Sequence, residues 1–181
     1  MKISDEKIDE LLHSLLALHP KRIKTKIDLS LDRTIKLLNK LGNPQKKLKG
    51  VGWVVGTNGK FSTIQALYAI LKEANYKCNI YTSPHIQKIN ERFVFNNKPL
   101  TDDELANLFS EIEEANHQAQ ITFFEILTVA YLHYAKKYPE NINLIESGLF
   151  HRFDATNVLK KNLASIVTAV SYTHLTLPTK A

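Results

Sequence analysis

Apolar positions along the chain switch repeatedly between helical spacing and short continuous runs, and that switching predicts an α/β fold. Ile8, Leu11, Leu12, Leu15 and Leu16 share one helical face, with Ser4 as N-cap and Pro20 as terminator. A second helix is predicted from Ser30, carrying Leu31, Ile35, Leu38 and Leu41 and stopped by Gly42-Asn43-Pro44. Val51-Gly52-Trp53-Val54-Val55 reads as a buried strand, after which Ile64, Leu67, Tyr68 and Leu71 return to helical spacing. Cys78-Asn79-Ile80-Tyr81 is the next strand, and Phe93-Val94-Phe95 followed by Asn96-Asn97 suggests a small hairpin. Thr101-x-x-Glu104 and Thr122-x-x-Glu125 are capping boxes that open two further helices. Ile142-Asn143-Leu144-Ile145-Glu146 is a third strand, and the stretch from Ala164 to Ala169 a fourth. Strands alternating with helices imply a mostly parallel sheet covered on both faces.

Composition narrows the class. The 181 residues are 44% hydrophobic and 23% charged, an ordinary globular balance for one domain or one and a fraction. No apolar run approaches the ~20 residues of a membrane span, and the first residues lack the pattern of a signal peptide. Cys78 is the single cysteine, so an intramolecular disulfide is impossible and a reducing, cytoplasmic compartment is expected. The net charge of +6 is uneven: the stretch from Lys21 to Lys49 is rich in Lys and Arg. Such a stretch can attract nucleic acid or small anions, or simply be a solvated Lys-rich surface. No interleaved aromatics or RNA-binding signature accompany it, so no nucleic-acid partner is expected.

The chemistry concentrates in Gly56-Thr57-Asn58-Gly59-Lys60-Phe61-Ser62, between a predicted strand and a predicted helix. This is the context of a phosphate-binding loop. The two glycines let backbone N–H groups turn toward phosphate oxygens, Lys60 brings a positive charge, and Ser62 can offer a hydroxyl to Mg²⁺. Phe61 separates the lysine from the hydroxyl, unlike the common form of the motif; the plain alternative is a glycine turn. Glu146 ends a buried strand, where ligands bind in open α/β sheets, and an ionised carboxylate there calls for a metal or a cation; a strand-end Glu facing solvent is the alternative. Ser83 lies in the loop Thr82-Ser83-Pro84-His85 after another strand, where a turn role competes with a ligand role. Of the seven histidines, only His85 and His151 flank these loops. No His/Cys spacing suggests zinc.

From about Leu29 to Ala169 the chain resembles the folylpolyglutamate synthase/dihydrofolate synthase family of the Mur ligase superfamily. Four segments carry the resemblance: the Gly56–Ser62 loop; Tyr81-Thr82-Ser83-Pro84-His85 with Asn90-Glu91-Arg92-Phe93; Thr122-Phe123-Phe124-Glu125-x-x-Thr128; and Glu146-Ser147-Gly148-Leu149 with Arg152-x-Asp154-Ala155-Thr156-Asn157-Val158. The first alone indicates a Mur-type ligase; the second and fourth together indicate the folate branch.

The resemblance implies a P-loop NTPase-like Mur ligase domain that binds ATP and Mg²⁺. It implies phosphorylation of a folate or dihydropteroate carboxylate, followed by attack of L-glutamate on the acyl phosphate. Carried over residue by residue, Gly56 to Ser62 would hold the nucleotide, with Lys60 and Glu146 catalytic. Ser62, Ser83 and Glu146 would ligate metal, and Thr82, Ser83, Pro84 and His85 would face the substrate. A metal-binding histidine is implied near the chain's end, where His174 falls by count with Thr173 in place of the family's Asp. Phe61 stands where the family keeps a small residue and Phe150-His151 where it keeps Gly-Gly; the two bulky positions are expected to pack together.

Residues 1–169 are expected to be the N-terminal part of the ATP-binding domain, without the C-terminal glutamate-binding domain. Residues 170–181 read as the translation of a sequencing adapter rather than native chain, the alternative being a native tail. A monomer away from membranes is expected. Two other readings stand beside this one: a Mur-type ligase acting on a cell-wall precursor, and a nucleotide-binding module without catalysis.

Overall fold

The computed structural model describes residues 30–148 and 152–171. The predicted first helix, with His13 and His19, lies outside them, as do Phe150, His151 and His174. Six strands form one sheet: β1 (Gly50–Val55), β2 (Cys78–Tyr81), β3 (Phe93–Phe95), β4 (Lys98–Pro99), β5 (Ile142–Glu146) and β6 (Ala164–Val167). Their order is β4-β3-β2-β5-β1-β6. β1, β2, β5 and β6 run parallel to one another, and the β3–β4 hairpin extends the sheet antiparallel beyond β2. The helices are α1 (Asp32–Lys40), α2 (Lys60–Glu73), α3 (Asp102–Asn116) and α4 (Phe123–Ala135). The mostly parallel α/β expectation is met. No helix among the described residues is long and apolar enough to cross a membrane.

The two faces of the sheet carry different loads. Ile64 of α2 packs on Val54, Ile80 and Leu144 in a small cluster. The other face holds the main core, where α1, α3 and α4 bury Leu38, Phe109, Tyr131 and their neighbours against Tyr81, Phe93 and Ile145. Helix α4 is buried along nearly its whole length, as expected of an apolar helix pressed between sheet and helices.

Both capping boxes form. Thr101 and Thr122 accept the N–H of Glu104 and Glu125, whose carboxylates return to the N-cap N–H groups at 2.9 and 2.7 Å. Asn96 and Asn97 both take positive φ, which a two-residue hairpin turn requires and asparagine tolerates.

Helix α1 differs from its prediction in start and face. It begins at Asp32, and Ser30 Oγ accepts the Asp32 N–H at 3.3 Å. Ile35 is 40% exposed, while Thr34, Leu37 and Leu38 are buried. Leu38 belongs to both possible apolar stripes. The stripe through Leu37 wins because α1 packs on α4, where Arg33 pairs with Glu125 at 3.2 Å.

Asn79 and Asn143, two polar residues inside buried strands, are also accounted for. The Asn79 amide donates to Asn143 Oδ1 at 3.1 Å, and Tyr131 OH donates to the same oxygen at 3.0 Å. Asn141 and the Asn96 N–H donate to Asn79 Oδ1, both at 3.0 Å. A connected ladder of this kind satisfies buried amides that would otherwise be costly.

Candidate active site

The sheet order creates the site. β5 lies between β1 and β2, so the end of β5 stands between the loops that follow the other two strands. Glu146 closes β5, Gly56 follows β1, and Thr82 follows β2. This is the carboxyl edge, where open α/β sheets take ligands.

In the phosphate loop, Gly56 has φ +147° and Gly59 φ +83°, both conformations that L side chains rarely adopt. At Gly56 space is also lacking, since a Cβ would meet Thr168 Oγ1 at 2.1 Å. Residues just after β6 anchor the loop: the Thr57 and Asn58 N–H groups donate to the Ala169 carbonyl at 3.0 and 3.1 Å. These two amides therefore hold the loop in place rather than pointing at a ligand. Thr63 N–H is the first to pair back into the helix, with Gly59 O at 2.9 Å. The amides of Lys60, Phe61 and Ser62 form the open helix start, where an anion is favoured. Phe61 is 53% exposed, and its partner in the expected packing pair, Phe150, lies outside the described residues. Ser62 is exposed as well.

Lys60 folds back over its own loop. Its Nζ donates to Gly56 O at 3.0 Å and Thr57 O at 3.3 Å, and stands 3.7 Å from Glu146 Oε1. The other Glu146 oxygen accepts the Ser83 N–H at 3.2 Å. Glu146 is 3% exposed. Burial pushes its carboxyl above the usual range, against the pull of the Ser83 N–H and the Lys60 and Arg92 charges. One carboxylate thus joins the phosphate loop to the Thr82–His85 loop.

The second loop is held by residues that sequence reasoning quoted but gave no role. Glu91 accepts the N–H groups of Ile86, Gln87 and Lys88 at 2.8, 2.9 and 2.8 Å. Those bonds hold its own carboxyl below the usual range. Thr82 is buried, and its N–H donates to Arg92 O at 3.4 Å. Arg92 Nε donates to His85 Nδ1 at 2.9 Å. The Ser83–Pro84 peptide bond is cis. The spacing of Glu91 and Arg92 from the loop was the available signal; what they hold depends on the three-dimensional turn.

The remaining segments brace the strand ends. A Cβ on Gly148 would meet the Phe124 ring at 2.4 Å, so glycine is what lets the first turn of α4 sit against the end of β5. Asp154 is buried and accepts the Thr156 N–H at 2.9 Å; Thr156 Oγ1 in turn accepts the Trp53 indole N–H from β1, also at 2.9 Å.

A hard divalent cation fits this donor set. The chain offers hydroxyls at Ser62 and Ser83 and one desolvated carboxylate whose ionisation a cation would favour. Among the described residues no three His, Cys, Asp or Glu side chains converge as a metal cage. Mg²⁺ is commonly held by one or two carboxylates together with substrate phosphates and water, which is the arrangement these residues can support.

A parallel sheet whose glycine loop feeds a helix at the carboxyl edge is the architecture of phosphate-loop α/β proteins. No family model matches the chain. The chain is 34% identical over 163 residues to dihydrofolate synthase/folylpolyglutamate synthase of Bacillus subtilis, covering 86% of this chain and 37% of that protein. It is 35% identical over 148 residues to the Escherichia coli protein of the same name, covering 82% and 35%. E. coli FolC in complex with DHPP and ADP superposes with a TM-score of 0.80 at 33% identity, over 92% of this chain and 39% of that one. A bifunctional folylpolyglutamate synthase/dihydrofolate synthase with Mn, AMPPNP and L-glutamate bound gives 0.82 at 28% identity, over 96% and 41%. The chain belongs to the dihydrofolate synthase/folylpolyglutamate synthase family, and its fold is that of the Mur ligases. It spans a little over a third of the length of the curated relatives it matches.

Proposed function

We propose that the protein is an ATP-dependent ligase that joins L-glutamate to a folate, to dihydropteroate, or to both. A carboxylate oxygen of the folate-side substrate attacks the γ-phosphorus of ATP, and ADP leaves. The glutamate amine then attacks the acyl phosphate, losing a proton as the amide forms and inorganic phosphate departs. The observation that carries this reading is the 3.7 Å approach of Lys60 Nζ to Glu146, with the phosphate loop on one side and the Thr82–His85 loop on the other. The relatives' names and the ligands in their structures supply the substrate class.

The residues divide the work. Gly56 to Ser62 form the nucleotide loop, with Gly56 to Gly59 shaping it and the open amides of Lys60, Phe61 and Ser62 meeting the phosphates, and Lys60 offsets the negative charge of the transferring group. Ser62, Ser83 and Glu146 would hold Mg²⁺, which when bound supplies Lewis-acid polarisation of phosphoryl oxygens. Thr82, Ser83, Pro84 and His85 present the carboxylate substrate. Residues 1–169 belong to the ATP-binding domain in this reading, and 170–181 lie outside it. A cytoplasmic monomer with small-molecule substrates and no nucleic-acid partner completes the proposal.

A substrate panel tests it. The full-length protein should form a glutamyl amide, ADP and inorganic phosphate in equal amounts with dihydropteroate or tetrahydrofolate when glutamate is present. Turnover of a UDP-muramoyl peptide instead would move the protein to the cell-wall ligases. Binding of ATP without turnover of any acceptor would leave a nucleotide-binding module.

A further inference from the structure

Arg92 is a buried cation with little to hold. It is 8% exposed, yet it makes no ion pair among the described residues. Its Nε is engaged by His85 Nδ1, and its guanidinium carbon lies 5.9 Å from the centre of the Phe123 ring. No other donor of the guanidinium is hydrogen-bonded to a described residue, and none of its nitrogens is among the buried atoms lacking a partner, so the free end of the fork still reaches solvent. A desolvated charge kept unpaired is costly, and a planar fork is the side chain best matched to a carboxylate.

Its place in the fold says which carboxylate. Arg92 immediately precedes β3, whose Phe93 pairs with Tyr81, so Arg92 lies beside Thr82 at the carboxyl end of β2. Thr82 is followed by Ser83, whose N–H donates to Glu146 at 3.2 Å. Lys60 reaches this buried carboxylate from the phosphate loop, and Arg92 is tied through Thr82 and His85 to the substrate loop that meets its other oxygen. Two anionic reactants, a triphosphate and a carboxylate, repel each other unless each meets its own cation.

We propose that the free end of the Arg92 guanidinium binds the reacting carboxylate of the folate-side substrate, with the Nε–His85 bond and the Phe123 face holding the fork in position. This rests on the ligase reading above and adds the residue that recognises the acceptor's charge. A carboxylate bound this way presents an oxygen toward the phosphate loop without loss of charge on either partner.

The test separates recognition from mere support of the loop. Dissociation constants are measured for dihydropteroate and for its uncharged primary carboxamide, with the full-length protein and its Arg92→Gln and Arg92→Lys variants. The wild type should prefer the acid by roughly 30-fold or more, the scale of a desolvated charge pair. The preference should vanish in Arg92→Gln and be reduced but present in Arg92→Lys, which keeps the charge and loses the fork. An arginine that only braces the loop would weaken acid and amide by the same factor, and an unchanged ratio in both variants overturns the proposal. If Arg92→Gln does not fold, an unreduced preference in Arg92→Lys does so. If dihydropteroate does not bind, tetrahydrofolate and its γ-carboxamide take its place, and failure of the wild type to bind either acid would overturn the ligase reading itself, and this inference with it.

Discussion

Lys60 and Glu146 bear on each other through a single 3.7 Å approach, so changes at either should be felt at both. Lys60→Ala should weaken ATP binding by about tenfold or more, the scale of a lost charge-assisted contact, as read by titration calorimetry. Glu146 makes a prediction with a sign. Its folded carboxyl is held above the ordinary value of 4.5, so ionisation costs folding free energy once the pH exceeds that value. Glu146→Gln should therefore raise the unfolding free energy of the ligand-free protein at pH 7. The gain should fade below about pH 4.5, where the wild-type side chain is neutral too. Equal stabilities at pH 7 would mean that Lys60 and the Ser83 N–H fully offset the burial. That Glu146, Lys60 and Ser83 would lie at one edge of the sheet was legible in the sequence, because each sits at the carboxyl end of a strand or in the segment just after one. Arg92 and Gly148 were not: one owes its character to burial, the other to the approach of Phe124 from a distant helix.

The elements that present these residues are set by local rules. Thr122 caps α4 and so fixes the helix start that carries Phe123 and Phe124 to the strand ends. Thr122→Ala should cost about 1 kcal/mol in chemical denaturation, the usual worth of an N-cap side chain. At the other box, the Thr101 N–H holds the Glu104 carboxyl below its ordinary 4.5. A carboxyl lowered on folding contributes stability above its unfolded value and loses it as the pH falls. Glu104→Gln should thus be less stable than wild type at pH 7 and converge with it in acid, a difference that denaturation at several pH values would reveal. Capping boxes and the asparagine hairpin were readable because their signals lie within a few residues. The face of α1 was not: the Ile35 and Leu37 stripes fit a helical period equally well, and only contact with α4 chooses between them.

At the scale of the molecule, alternating strands and helices announced a parallel α/β sheet, and the sheet formed. What the alternation could not announce was the insertion of β5 between β1 and β2, since strand order depends on pairings distant in sequence. That insertion is what brings Glu146 between the two loops and turns three separate strand ends into one site. The reaction proposed for the site makes a demand on oxygen atoms that can be followed directly. Dihydropteroate carrying ¹⁸O in both carboxylate oxygens is incubated with ATP, L-glutamate, Mg²⁺ and the full-length protein, and both products are weighed by mass spectrometry. The account predicts a glutamyl amide retaining one label and inorganic phosphate carrying the other, with neither product formed by Lys60→Ala. Amide product retaining both labels, unlabelled phosphate, or no glutamyl product either from dihydropteroate or from tetrahydrofolate labelled likewise in its γ-carboxylate would contradict it.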